Sequence, residues 1–504
     1  MEDKLQHIKA PELRDRVVNP EEAASWIEDG MTLGLSGFTR AGDAKAVPTA
    51  LVERAENGEN FKVNVFTGAS LGSDIDKMLA EAGIVNKRLP FQADPSMRKA
   101  INAGEHFFVD QHLSYTAELL RAGAIESIDY AILEAISITE DGLLIPTTST
   151  GNSSAFAEFA ENIIVEINTA QPKELEGVHD IYSLGQQGER DPIPLTKPDQ
   201  RLGVKGIPLD LSKVKGIVFT HQEDSPSTIV APDEETQMIA DNLLAFLRSE
   251  IEAGRLTERL MPLQSGIGSV ANAVLHGMLD SEFKDLVVYS EVLQDAVFDL
   301  IDAGKVNFAS ACSITLSKEK MDQVFSEFDK YKDKLILRPQ EISNHPEIIR
   351  RLGLIAINTA LEFDIYGNVN STHVSGTKMM NGIGGSGDFA RNSRLAIFVT
   401  KSVAKGGDIS SIVPFVPHVD HTEHDVDVVV TEQGYADLRG LAPRERVPLI
   451  IENCAHPMYR EQLWEYYNEA LERGGQTPHV LEKALSWHTN FKENGTMRQV
   501  VEHK

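Results

Sequence analysis

The 504 residues suffice for roughly two to three domains, each with a full core. Hydrophobic residues at 41% and charged residues at 25% are ordinary for a globular chain, and no apolar run approaches the roughly 18 residues of a membrane span. A net charge of −28 argues against nucleic acid as a partner, because gripping a phosphate backbone needs a basic surface that releases counterions.

Met1-Glu-Asp-Lys-Leu-Gln-His carries charges but no apolar stretch or small-residue cleavage site, so no targeting segment is expected and the chain reads as cytoplasmic. Leu35-Ser-Gly37 opens a glycine turn into a predicted helix over 47–55. Phe61-Lys-Val-Asn-Val-Phe-Thr67 reads as a strand, Ile101-Asn-Ala-Gly104 leads to Phe108, and the strand Ala131-Ile-Leu-Glu-Ala-Ile-Ser-Ile runs to a turn at Asp141-Gly142. The stretch 185–208 is rich in Pro, Gly and charge and follows neither period, which marks a boundary. A new strand is expected over 214–219.

The second half answers the first in the same order. Gln264-Ser-Gly266 opens a turn into a predicted helix over 270–279, and Phe283-Lys-Asp-Leu-Val-Val-Tyr289 is a strand. Ile301-Asp-Ala-Gly304 leads to Phe308, and Leu354-Ile-Ala-Ile-Asn runs toward Tyr366-Gly367. Four ordered matches predict an internal duplication: two similar α/β domains with mostly parallel sheets, over 1–210 and 211–504. Further strands are expected over 395–400 and 428–431. Near the end, 459–473 and 480–487 carry helical spacing and read as a pair of amphipathic helices.

Chemistry concentrates in the second half. Glu291 ends the strand at 283–289, where the first half puts Ala69, and sheet ends are where open α/β folds place ligands. It reads as a nucleophilic carboxylate or as a carboxylate stabilised at the start of a helix over 292–301. Gly266-Ile-Gly-Ser-Val270 exposes backbone N–H groups that can approach a phosphate, an amide or an oxyanion. Asn381-Gly-Ile-Gly-Gly-Ser-Gly387 offers a second set, and Gly382, Gly384 and Gly387 also fit a dinucleotide spacing, though without a clean preceding strand. His418, His421 and His424 have the composition of a metal site but lie in an expected loop, which favours a polar network. Lys405 is a phosphate-binding charge or a solvated surface lysine. Asn344 is an oxyanion donor or a turn residue beside Pro346, and Glu432 is a second carboxylate candidate or a turn. Cys312 and Cys454, far apart and without a CxxC partner, read as plain buried thiols.

Several longer strings together resemble the acetyl-CoA hydrolase/transferase family, and most closely its CoA-transferase members. They are Gln264-Ser-Gly-Ile-Gly, Tyr289-Ser-Glu-Val-Leu-Gln-Asp295, Asn381-Gly-Ile-Gly-Gly-Ser-Gly-Asp-Phe-Ala-Arg-Asn392, Lys405-Gly-Gly-Asp-Ile-Ser-Ser-Ile-Val-Pro414, His418-Val-Asp-His-Thr-Glu-His-Asp-Val-Asp427 and Thr431-Glu-Gln-Gly-Tyr-Ala-Asp-Leu-Arg-Gly440. The resemblance implies two CoA-transferase-type domains with Glu291 as the catalytic glutamate, and Asn344 and the Ile267 N–H as oxyanion donors. It implies that Gly266, Ile267, Gly268, Ser269, Val270, the Leu361 backbone, Asn381, Gly385 and Lys405 contact CoA; Glu432, the second carboxylate candidate, is a candidate for the carboxylate site. Ser269 departs from the asparagine of many members. A homodimer acting on acyl-CoA, acetate and succinate is implied, with no metal, no cofactor beyond the CoA substrate, and neither nucleic acid nor membrane as partner.

Overall fold

Short aliphatic runs bounded by glycine turns become the strands of parallel sheets in the computed structural model, which describes residues 2–72, 74–228 and 230–499. The chain divides into two units. The first comprises Met1–Thr228, Val287–Asp302 and Val306–Leu352, and the second Ile229–Leu286, Ala303–Lys305 and Gly353–Lys504. This division differs from the expected boundary at 210/211, because the stretches 211–228, 287–302 and 306–352 pack with the first unit.

In the first unit β1 (Thr32–Leu35), β2 (Val63–Phe66), β3 (Val85–Leu89), β4 (Phe107–Phe108), β5 (Ile128–Ala135), β6 (Ala160–Asn168) and β7 (Val214–Thr220) form one sheet. Its order is β7-β6-β5-β1-β2-β3-β4, and every pairing is parallel. Seven of the eight residues of β5 are buried, as expected of a parallel strand covered on both faces. On one face Leu33, Leu35, Val63 and Val65 pack with Val47 and Leu51 of the helix Ala46–Glu56 and with Leu79 of the helix Ile75–Glu81. On the other, Ala131, Leu133 and Val165 pack with Phe156 of the helix Ser153–Phe159. A Cβ on Gly34 would stand 2.8 Å from the Phe156 ring, so this glycine sets how closely that helix approaches β1. Each aliphatic side chain so buried contributes about 1.5–3 kcal/mol.

In the second unit β8 (Leu263–Ser265), β9 (Ile355–Thr359), β10 (Leu395–Val399) and β11 (Val428–Thr431) pair in parallel in that order, and β12 (Gly434–Asp437) closes the edge antiparallel to β11. The run β8-β9-β10-β11 has the same parallel sequence of neighbours as β1-β5-β6-β7, which is the predicted duplication expressed as topology. Its large core joins Phe363, Phe398 and Val429 to Val447, Ile450, Tyr459 and Leu463 of the helices Pro443–Cys454 and Pro457–Arg473.

Two expectations about helices are corrected. The segment predicted as a helix at 480–487 is mostly turn, and the last helix is Ser486–Asn494. The helix expected from residue 292 begins at Asp295, because Val292–Leu293 instead pairs in parallel with Ser313–Ile314. The stretch around 185–208 does lack regular structure until the short strand Ile207–Pro208, yet it is tied down. Arg338 donates to the Pro198 and Gln200 carbonyls at 2.9 and 2.6 Å, and the Asp180 carboxylate accepts from the Leu202 and Gly203 amides.

Candidate active site

Glu291 lies two residues beyond the strand Leu286–Tyr289 and is partly buried. Its backbone carbonyl accepts from the Cys312 and Ser313 amides at 2.8 and 3.0 Å, which anchors the residue to the neighbouring strand end. Because a strand intervenes before the helix at Asp295, Glu291 is not the helix N-terminal carboxylate of the alternative reading. Its side chain accepts a hydrogen bond from Asn344 Nδ2 at 2.6 Å. Asn344 is the C-cap of the helix Gln340–Ser343, and the Tyr289 hydroxyl fixes that helix by donating to the Ile342 carbonyl at 2.8 Å.

Burial pushes the Glu291 carboxyl up to about 7, and the Asn344 hydrogen bond pulls it partly back. Among the described residues no cation forms an ion pair with it. A carboxylate partly withdrawn from water and without a cation is a stronger base and nucleophile than a fully solvated one, and this one is poised near neutrality. The Asn344 amide nitrogen has two hydrogens; one is used on Glu291, and the other is available to a developing oxyanion.

Sequence reasoning read Cys312 as an ordinary buried thiol and missed where it sits. It is fully buried, accepts from the Gly151 amide at 3.2 Å through Sγ, and feels the Glu291 charge, although burial is the main cause of its elevation to about 12. Phe38, Ala69, Phe91, Leu113, Val292 and Cys312 form one apolar cluster, so Ala69 packs with the residue that follows Glu291. The readable signal was positional: Cys312 ends the strand Val306–Ala311 much as Glu291 ends its own.

The remaining predicted residues lie in the second unit. The Gly266–Val270 turn follows β8 and enters the helix Ser269–Gly277; Gly268 has φ 118°, and Ile267 is exposed. Val270, Leu361 and Lys405 line one groove of about 660 Å³ together with Thr359, Lys401 and Met458. Leu361 uses its amide on the Asn370 carbonyl at 2.9 Å. Asn381 begins the second glycine loop, which ends in the helix Ser386–Asn392 with Gly385 as its N-cap, and Asn381 Oδ1 is buried without a hydrogen-bond partner among the described residues. Glu432 is buried and locally engaged, accepting from the Ser402 amide at 2.8 Å, from the Ser402 hydroxyl, and from Gln433 at 3.1 Å. The histidines go to a polar network. His418 pairs with Asp420 at 3.2 Å and stacks on His373, while His421 bonds Ser386 at 3.0 Å and so braces the glycine loop.

Sequence reasoning also missed a buried charge cluster in the first unit. Lys45 Nζ donates to Glu134 at 2.5 Å, to Asp224 at 3.0 Å and to the Asp43 carbonyl at 2.8 Å, while Glu166 accepts from the amides of Lys45, Ala46 and Val47.

A family profile described as the acetyl-CoA hydrolase/transferase N-terminal domain matches residues 2–218, and the corresponding C-terminal domain profile matches 321–467. A succinyl-CoA:acetate CoA-transferase of Clostridium kluyveri is 52% identical over 99% of this chain and 92% of its own. The chain belongs to the acetyl-CoA hydrolase/transferase family. As a member of it, the protein is an enzyme of the class that transfers CoA or hydrolyses acyl-CoA. Other members are similar along nearly the whole length. An acetyl-CoA hydrolase of Candida glabrata is 45% identical over 96% of this chain and 95% of its own, and a propanoyl-CoA:succinate CoA transferase of Escherichia coli is 41% identical over 94% and 97%. The fold is shared more widely. RipA from Yersinia pestis superposes with a TM-score of 0.70 at 22% identity, covering 90% of this chain and 97% of that one. A 4-hydroxybutyrate CoA-transferase from Porphyromonas gingivalis gives 0.62 at 23% identity, covering 90% and 98%.

Proposed function

We propose that this family member moves CoA between succinyl-CoA and acetate by a ping-pong mechanism through a glutamyl-CoA thioester on Glu291. The observation that carries the reading is the partly buried Glu291 carboxylate, held by Asn344 and without a cation partner among the described residues. The 52% identity to a succinyl-CoA:acetate CoA-transferase supports the choice of substrates. Ionised Glu291 attacks the thioester carbonyl, and the tetrahedral oxyanion accepts from Asn344 and the Ile267 N–H before collapsing to a mixed anhydride and CoA thiolate. The thiolate attacks the glutamyl carbonyl, the first carboxylate leaves, and a glutamyl-CoA thioester remains. An acceptor carboxylate then reverses the steps. Gly266, Gly268, Ser269, Val270, Leu361, Asn381, Gly385 and Lys405 hold CoA in this reading, so the free thiolate stays at high effective concentration. Glu432, which accepts from the Ser402 amide, is the candidate for the carboxylate side. CoA serves as substrate with no resident cofactor, and a cytoplasmic homodimer completes the reading.

A second reading is hydrolysis, with water as acceptor, favoured by several acetyl-CoA hydrolases at 42–46% identity. Propionate in place of acetate is a third, since one methylene changes discrimination by only about 1–3 kcal/mol. Transfer from succinyl-CoA to acetate, from propionyl-CoA to succinate, and to water should be measured side by side. Borohydride reduction after incubation with acyl-CoA, followed by peptide mapping, should modify Glu291 alone. A Glu291→Ala enzyme that transfers CoA at the parent rate would sink the proposal.

A further inference from the structure

Lys405, Gly406 and Gly407 have φ of 48°, 65° and 94°, three successive residues in the left-handed region. Lysine is disfavoured there, so something outside the loop must hold it. The chain's last described residues do so. Arg498 donates from Nε to the Gly407 carbonyl at 3.2 Å and from Nη2 to the Gly406 carbonyl at 3.2 Å. The Met497 amide donates to the Asp408 carbonyl at 2.7 Å, and the Tyr459 hydroxyl to the Gly407 carbonyl at 2.7 Å. A Cβ on Gly407 would stand 2.7 Å from Arg498 Nη2, so the contact depends on glycine there. The tail is itself pinned: Asn490 donates to the Thr496 carbonyl at 2.7 Å and Gln462 to the Met497 carbonyl at 3.0 Å. Lys405 Nζ lies 5.0 Å from the Phe491 ring centre, over a side chain of the last helix. Lys405, Gly406 and Gly407 line the 660 Å³ groove with Lys401 and Leu361, whereas the tail lies beyond residue 467, where the C-terminal family profile stops.

We propose that the segment 496–498 is a strap, with Arg498 as a positioning residue that fixes the Lys405 loop and so sets affinity for the phosphorylated end of a CoA ligand in the groove. The inference rests on the CoA reading given above. Arg498 grips the Gly406 and Gly407 carbonyls together, so its loss leaves the loop on the Tyr459 and Met497 bonds alone, loosens it and spreads the Lys405 charge.

The test is CoA and pantetheine binding by calorimetry to the full-length parent, Arg498→Ala, Arg498→Lys, Lys405→Ala and the Arg498→Ala/Lys405→Ala double variant, each with an unchanged far-UV spectrum. Arg498→Ala should weaken CoA about five- to tenfold and Arg498→Lys less, while pantetheine, which lacks the nucleotide phosphates, changes by less than about twofold. In the Lys405→Ala background Arg498→Ala should add nothing. In turnover, Arg498→Ala should raise KM with kcat held within about twofold. Equal losses for CoA and pantetheine, full additivity in the double variant, or parental CoA affinity for Arg498→Ala would overturn the strap. Parental affinity for Lys405→Ala would overturn it by removing its ligand contact. None of these results bears on Glu291, whose part is read by transfer and trapping.

Discussion

Asn344 Nδ2 lies 2.6 Å from Glu291 Oε1, so this carboxylate is oriented by a residue 53 positions further along the chain. The pair joins a residue just beyond a strand end to a helix C-cap. Burial and this bond act in opposite directions on the carboxyl, and burial wins.

The activity should therefore depend on pH in a defined direction. If Glu291 is the nucleophile proposed above, it acts as the carboxylate, and burial raises it to about 7, so kcat/KM should climb between pH 6 and 8 with an apparent pKa near 7. A pH–rate profile flat from pH 5 to 8 would rule out Glu291 ionisation as the controlling step.

Replacing Asn344 with alanine removes the interaction that lowers the Glu291 pKa and, in the proposed mechanism, one oxyanion donor. The rising limb should move to higher pH, and kcat at its plateau should fall about 10²–10³-fold. Both changes can be read from one set of profiles, and a loss of kcat without any shift of the limb would assign Asn344 to the oxyanion alone.

Glu291 should also cost stability. Its folded pKa of about 7 exceeds the ordinary 4.5, so the folded state holds the proton more tightly. The protein is then most stable below pH 4.5 with respect to this group, and that advantage is lost as pH rises through 7. Glu291→Gln should gain about 1–3 kcal/mol over the parent at pH 8 and nothing near pH 4, measured by urea unfolding at both values.

The Lys45 cluster gives a prediction remote from the chemistry. Lys45→Ala strands Glu134 and Asp224 in the interior and should destabilise the protein by about 3–5 kcal/mol. Lys45→Met combined with Glu134→Gln, which also removes a buried charge, should recover part of that loss in the same unfolding assay.

The strand ends were legible because glycine turns and aliphatic runs are local, and so was Glu291, whose carboxylate stands out after Val287-Val-Tyr-Ser. The glycine-rich strings were legible as family marks. What was not legible depends on partners distant in the chain. Cys312 against Gly151, Lys45 against Glu134 and Asp224, and Arg498 on Gly407 pair residues that no local pattern links. The short strand Val292–Leu293 was taken for the first turn of a helix because its partner at Ser313–Ile314 lies on another element. Apolar spacing alone does not separate the two.

Arg338 has an implication for how the protein is made. Fully buried, it pairs with Asp180 and donates to Ser310 and to the Pro198 and Gln200 carbonyls. The first unit is thus finished by residues that the ribosome supplies long after residue 228. At about 5–20 residues per second, Arg338 follows residue 228 by about 6–22 s. Throughout that interval all seven strands of the first unit's parallel sheet have been synthesised while Asp180 still lacks its arginine partner.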